Sequence, residues 1–304
     1  MKRREFLAGS AALLLTAAAP SWTAARKFLD LPAGRIAYAE KGGGPAAIFL
    51  HGYPLNGYQW RGAIERLQDL RRCIAPDLMG LGYSETPSGT SLSPIAQSEM
   101  IVAFMDKMAI QQADFVSNDS ATGIAQLIAA NHPERVRSLL LTNGDVDSNS
   151  PPELLMPFIE KCRAGKPGDD WFKRHYEDHA WARSQNGLGS TYSNPEFGMS
   201  DENIELYFGP LVSSPARLEQ ARRYGIDMLP NVLPAIAPKL RAFQGPVRMV
   251  WGQDVELFPD RWAVWLDKTF PKSRGIRFVG GARLFFPEER PDLIAEEARK
   301  LWTS

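Results

Sequence analysis

Phe115-Val116-Ser117-Asn118-Asp119-Ser120-Ala121-Thr122-Gly123 runs from a short apolar stretch into a helical pattern, and its small residues decide where it bends. A nucleophile exposed at a strand-to-helix bend sits in strained backbone, so the positions two residues to either side must be small. Around Asp119 these are Ser117 and Ala121; around Ser120 they would be the bulkier Asn118 and Thr122. The steric comparison puts Asp119 at the bend. A carboxylate there can attack carbon and form an ester, with the Ser120 N–H as an oxyanion donor. Taken alone, Asp119 also reads as a helix N-cap without chemistry.

Upstream, the apolar run Ala46–Leu50 ends in His51-Gly52-Tyr53-Pro54. A glycine turn at a strand end points a backbone N–H into a cleft, here that of Tyr53, as the second oxyanion donor. His51 reads as a prop of this turn rather than a base. One helix and one strand later comes the glycine-hinged loop Pro76-Asp77-Leu78-Met79-Gly80-Leu81-Gly82-Tyr83-Ser84.

The rest of the chain keeps the same rhythm. Residues 46–50, 72–76, 114–117, 138–142 and 247–251 are short, continuous apolar runs, the signature of strands buried on both faces. Helical patterns over 94–108, 122–131, 260–270 and 291–302 alternate with them. This predicts an α/β fold with a mainly parallel sheet and its chemistry at the carboxyl ends of the strands. Residues 148–238 break the rhythm. They are rich in Pro, Gly, Asn, aromatics and charge, with helical pieces near 153–161, 170–184 and 216–223. A stretch of this length calls for structure of its own, here a helical cap over the strand ends.

These motifs, in this order, resemble the α/β-hydrolase superfamily, in particular its haloalkane-dehalogenase and epoxide-hydrolase-like branch with an aspartate nucleophile. HGYPLNGYQWR, APDLMGLGYS, FVSNDSATGIAQLIAANHPERVRSLLLTN and GARLFFPEERP carry the likeness across nearly all of residues 26–304. The resemblance implies an α/β-hydrolase fold with a mainly parallel eight-stranded sheet flanked by helices. The core would be 26–147 and 239–304, and the cap 148–238. It implies hydrolysis of a small apolar substrate, no cofactor and no metal.

The chain departs from that pattern at two positions. The family expects a histidine in the loop after the last strand, where this chain reads Gly280-Gly281-Ala282-Arg283-Leu284-Phe285-Phe286-Pro287. Counting back from Glu289-Arg290-Pro291 lands on Leu284, or on Arg283 after a one-residue slip. Neither exchanges a proton at neutral pH. The usual acid position falls on Val255, flanked by Asp254 and Glu256. Some members carry the acid after the preceding strand, which makes Asp145 the candidate. Arg283 is a candidate partner of Asp119 or of an anionic substrate group; as a surface residue it would pair with Glu288 or Glu289.

Without the usual histidine the ester half-reaction lacks its base. Three routes stay open: His175 or His179 swings in from the cap, Asp119 acts as a base rather than a nucleophile, or the protein binds a ligand without turnover. The expectation is therefore a hydrolase acting through Asp119, with a non-hydrolytic, lyase-like or ligand-binding member as the alternative. The branch's dehalogenases usually carry tryptophan after the nucleophile and asparagine after His-Gly; here these are Ser120 and Tyr53. Its epoxide hydrolases use cap tyrosines, for which Tyr176, Tyr192, Tyr207 and Tyr224 are available.

Composition limits the partners. Lys plus Arg and Asp plus Glu each number 35 in 304 residues, so no basic excess exists to neutralise nucleic acid. Two cysteines, Cys73 and Cys162, make no disulfide framework and read as free thiols, though a single bridge between them stays open. Residues 1–25 begin Met1-Lys2-Arg3-Arg4-Glu5-Phe6-Leu7 and continue into an Ala/Leu-rich stretch, the layout of a signal peptide. The paired arginines resemble a twin-arginine signal, which implies the twin-arginine export machinery as a partner and a periplasmic location. Cleavage after Ala25 would leave a net charge near −2, since Lys2, Arg3, Arg4 and Glu5 are removed. The oligomeric state is left open.

Overall fold

A computed structural model describes residues 22–165 and 170–303. The expected export signal lies almost wholly in residues 1–21, outside the described residues.

The described chain forms one eight-stranded sheet in the order β1-β2-β4-β3-β5-β6-β7-β8. The strands are β1 Lys27–Leu31, β2 Gly34–Lys41, β3 Ala46–Leu50, β4 Arg72–Pro76, β5 Ala113–Asp119, β6 Val136–Gly144, β7 Val247–Gly252 and β8 Ser273–Val279. β1 and β2 pair antiparallel, as do β2 and β4; every other pair is parallel. All five apolar runs of the sequence are strands of this parallel block. β3 and β5 are buried at every position, which is why they read as continuous apolar runs rather than alternating ones.

Helices cover both faces. Arg61–Leu67 and Pro291–Thr303 bury Ile64, Leu67, Leu293, Ile294 and Leu301 against one face. Pro94–Lys107 and Ser120–Asn131 bury Ile101, Phe104, Ile124 and Ile128 against the other. Pro94 and Pro291 sit in first helical turns, where a missing N–H costs nothing.

Between β6 and β7 the described chain contains helices and turns but no strand, with helices at Met156–Ala164, Trp171–Glu177, His179–Arg183, Asp201–Val212 and Pro215–Ile226 the main pieces. The stretch expected as one helix over 170–184 is two, broken at Asp178, whose side chain caps the second through Trp181 N–H. Cys73 and Cys162 are free thiols, which leaves out the bridge between them.

Candidate active site

β5 ends at Asp119, whose backbone takes φ 57° and ψ −132° before the helix Ser120–Asn131 begins. A non-glycine residue in this region is strained, and such strain collects at functional positions. The neighbours allow it as the sequence predicted: Ser117 and Ala121 are fully buried beneath the bend. Asp119 precedes the helix but its side chain makes no capping bond, so the cap reading does not account for it. Gly144, at the end of β6, lies opposite Asp119 in register. A Cβ there would sit 2.1 Å from the Asp119 carbonyl oxygen and 2.6 Å from Thr122 Cβ. Gly144→Ala is therefore expected to force the bend open and cost about 1–3 kcal/mol, read as a lower midpoint in denaturant unfolding. An unchanged midpoint would mean that the bend is not closely packed.

The Asp119 carboxylate is turned inward. Its Oδ2 accepts from Tyr53 N–H at 2.7 Å, and Ser120 N–H also bonds the carboxylate. Both backbone donors expected from the sequence thus meet on one side chain. Burial pushes the Asp119 pKa up from 3.8 to about 6, against the pull of these two N–H groups. Gly52 makes room for the contact: a Cβ there would lie 2.7 Å from Asp119 Cβ and 2.8 Å from the Phe285 ring. His51 props the turn. Its Nε2 accepts from Leu78 N–H at 2.9 Å, its Nδ1 bonds Gly52 O, and burial lowers its pKa to about 4. Asp77 is a prop of the same kind, accepting from Gly57 and Tyr83 N–H.

Asp119 opens into a cavity of about 230 Å³. The core supplies Asp145, Leu257, Phe258, Leu284 and Phe285 to its wall; the inserted helices and turns supply Leu155, Phe158, Trp171, Asn186 and Met228. Among the described residues, no lysine, arginine or histidine lines it. Asp145 is 2% exposed; its N–H donates to the Asp119 carbonyl at 3.2 Å, and its Oδ2 accepts from Ser150 Oγ at 3.0 Å. Burial first, and the Asp119 charge second, push its pKa well above 3.8. The two aspartates picked from the sequence therefore face one apolar space. Leu284, at the expected histidine position, is a cavity wall. Val255, at the usual acid position, is buried in the core, and Asp254 and Glu256 are exposed.

The four histidines all have other work. His175 is buried, with Nδ1 on Trp171 O at 2.7 Å and Nε2 accepting from Leu188 N–H at 2.8 Å, stacked on Phe208. His179 bonds Asp201 at the surface, and His132 bonds Glu99. The expectation that His175 or His179 could swing over Asp119 is thus corrected: one is pinned by two bonds and a stack, the other faces out.

Arg283 is a second correction. Its guanidinium donates to Ser190 O at 2.6 Å and does not reach Asp119. Together with Phe285 N–H on Thr191 O at 3.1 Å, this clamps the loop after β8 to the turn Leu188–Thr191 and sends Arg283 outward. It lines a separate open groove of about 890 Å³, beyond Leu257 and Leu284. Its surface alternative fails too, because Glu288 pairs with Arg61 and Glu289 takes Ser193 and Asn194 N–H. Of the four tyrosines expected in a cap, Tyr176 bonds Glu205 and both Tyr192 and Tyr207 bond Glu288. Only Tyr224 comes near the bend, with its hydroxyl 3.0 Å from Ser120 Oγ and its ring stacked on Tyr53.

Two supporting networks escaped the sequence reading. Gly52 N–H donates to Gln59 Oε1, Gln59 Nε2 to Asn118 Oδ1, and Asn118 Nδ2 to Thr142 Oγ1, Asn143 O and Leu284 O. This chain ties the three site loops together. The other centres on Glu288, which accepts from Arg61, Tyr192, Tyr207 and Asn203. Their members lie far apart in sequence, so no local pattern marks them.

Comparison with known proteins agrees with this fold. The alpha/beta hydrolase fold family matches residues 45–290. Haloalkane dehalogenase 2 of Mycobacterium bovis is 32% identical over 117 residues, 38% of this chain and 41% of that protein, so the match spans about two fifths of the relative's length. Epoxide hydrolase 2 of Caenorhabditis elegans is 24% identical over 284 residues, 88% of this chain and 77% of the relative. Among solved structures, the epoxide hydrolase CorEH superposes with a TM-score of 0.74 at 21% identity, covering 91% of this chain and 98% of the other.

Proposed function

The chain belongs to the alpha/beta hydrolase fold family, and from that premise we propose that it is a hydrolase of small apolar molecules in which Asp119 attacks carbon. The observation that carries this reading is the Asp119 carboxylate at a strained bend, with Oδ2 bonded to Tyr53 N–H and the Ser120 N–H also on the carboxylate, inside an apolar cavity. In this arrangement Oδ2 rests where an oxyanion forms and Oδ1 is the attacking atom. Attack at an alkyl carbon makes a C–O bond, breaks the bond to the leaving group and leaves an ester on Asp119. Water then adds at Asp119 Cγ, and the negative oxygen that forms is held by the Tyr53 and Ser120 N–H groups. Only the ionised carboxylate attacks. With its pKa at about 6, the rate of ester formation is expected to fall about tenfold per pH unit below that value. Stopped-flow alkylation between pH 4 and 8 checks this; a flat profile would remove Asp119 as the attacking group.

The small cavity, about 230 Å³ with aromatic and aliphatic walls, supports a compact apolar substrate. The likeness to dehalogenases and epoxide hydrolases supports carbon, rather than an acyl group, as the site of attack. The second reading, a member that binds or captures its ligand without release, draws on the four histidines all lying elsewhere. Intact mass after substrate addition separates the two: a transient adduct on Asp119 supports turnover, a permanent one supports capture. The paired arginines of Lys2-Arg3-Arg4-Glu5-Phe6-Leu7 support export through the twin-arginine route to the periplasm.

A further inference from the structure

A site that esterifies an aspartate needs a proton donor for the leaving group and an acceptor for the hydrolytic water. The cavity wall holds few groups able to do either. The Tyr53 hydroxyl donates to Ala221 O, and the Ser120 and Tyr224 hydroxyls bond each other. Among the described residues that line the wall, Asp145 is the one carboxyl besides Asp119. Its carboxyl has one protein bond, from Ser150 Oγ, and its backbone is fixed by Gln126 Nε2 on its carbonyl and by its own N–H on Asp119 O. Beneath it lies Gly123, where a Cβ would come to 3.1 Å of Asp145 Cβ. With no cation among the described residues that line the cavity, the two buried carboxyls that share it do not both ionise, and one keeps a proton. Asp119 is the one with two N–H donors on its carboxylate, so the proton stays on Asp145.

Resting on the reading of Asp119 as the attacking group, we propose that Asp145 is a catalytic residue that acts first as acid and then as base, and that the site is built for substrates whose leaving atom is an oxygen needing a proton, such as a strained cyclic ether. In the first step Asp119 Oδ1 bonds to the ring carbon, the C–O bond breaks, and the oxygen takes the Asp145 proton. The products are a hydroxyalkyl ester on Asp119 and a carboxylate on Asp145. Esterification removes the Asp119 charge at the moment Asp145 becomes charged, so the cavity carries one negative charge throughout. In the second step Asp145 takes a proton from water as its oxygen adds to Asp119 Cγ. Collapse expels the alkoxide of the substrate, which regains that proton from Asp145 as it leaves as the diol; the new Asp119 acid proton then settles on Asp145. Acid and base are again one neutral and one ionised carboxyl, and the sum is epoxide plus water to diol. A halide leaves without a proton, so Asp145 stays protonated and the ester accumulates.

The test uses the full chain with a small terminal epoxide and a primary bromoalkane. The wild type is expected to turn over the epoxide and to give a burst of about one equivalent of bromide followed by a slow phase. Asp145→Asn is expected to keep the bromide burst and to lose epoxide turnover by about 10²–10⁴-fold. Epoxide turnover by Asp145→Asn at the wild-type rate would overturn the inference while leaving Asp119 as the attacking group. No covalent adduct on wild-type protein from either compound, or turnover retained in Asp119→Asn, would overturn the reading beneath it. The pH profile of the wild type gives a readout that needs no variant. Ring opening requires Asp145 protonated and Asp119 ionised, with the Ser120, Tyr224 and Ser150 hydroxyls the neighbouring protic groups. A bell-shaped epoxide profile is expected, and a profile without an alkaline fall would contradict the inference even if Asp145→Asn does not fold.

Discussion

Asp119→Asn is expected to lower turnover by about 10⁴-fold or more while leaving the fold in place, because a neutral amide is no nucleophile and the residue's other contacts survive the exchange. The asparagine oxygen can still accept from Tyr53 N–H, as Oδ2 does in the native protein at 2.7 Å. Stability should move the opposite way from activity. Burial raises the Asp119 pKa above its ordinary 3.8, to about 6, so holding the charge inside works against folding. That penalty is present in full above pH 6 and fades as pH falls toward the unfolded-state value. The variant should thus melt higher than the wild type at pH 8, with the difference shrinking by pH 4. A melting point lowered at pH 8 would mean that the carboxylate is a structural anchor rather than a reacting group held at a cost.

Glu288→Ala is expected to be the most damaging change to stability, at about 3–5 kcal/mol, because it removes a fully buried carboxylate and strips the partner from a partly buried guanidinium. Arg61 comes from the first face helix, Tyr192, Asn203 and Tyr207 from the insertion, and Glu288 from the loop after β8. Removing one carboxylate leaves the Tyr192 and Tyr207 hydroxyls, both fully buried, without an acceptor. Glu288→Gln keeps an acceptor and should lose less. Denaturant unfolding of the two variants beside the wild type gives the comparison. A loss below 1 kcal/mol for Glu288→Ala would show that the inserted helices are held by apolar packing alone. Activity should fall with stability, since the same loop presents Leu284 and Phe285 to the cavity.

How much of this was readable in the chain depends on whether a feature is local. The bend at Asp119 was readable because strain there imposes small neighbours within two residues, and Ser117 and Ala121 are both fully buried. The five buried strands were readable because burial on both faces leaves no polar positions. β1 and β8 were not, since both are half-exposed with patchy burial; β2 joins the sheet antiparallel at its edge side. The helix Asp201–Val212 was missed because Gly209 and Pro210 near its end mimic a turn. Asp145 was found only as one acid among several, because its meaning lies in the cavity it shares. Arg283 went astray because its outward turn is set by the distant carbonyl of Ser190. The Glu288 cluster draws on four segments and has no sequence signature.

On the proposed route, an Asp119 oxygen becomes bonded to substrate and is released by water at Cγ. A single turnover in ¹⁸O-labelled water, with enzyme in excess over epoxide, followed by mass analysis of the peptide that holds residue 119, measures it. The expected result is ¹⁸O in that peptide and unlabelled oxygen in the diol. Label in the diol alone, with the peptide unchanged, would mean that water attacks the substrate directly and that Asp119 never forms an ester.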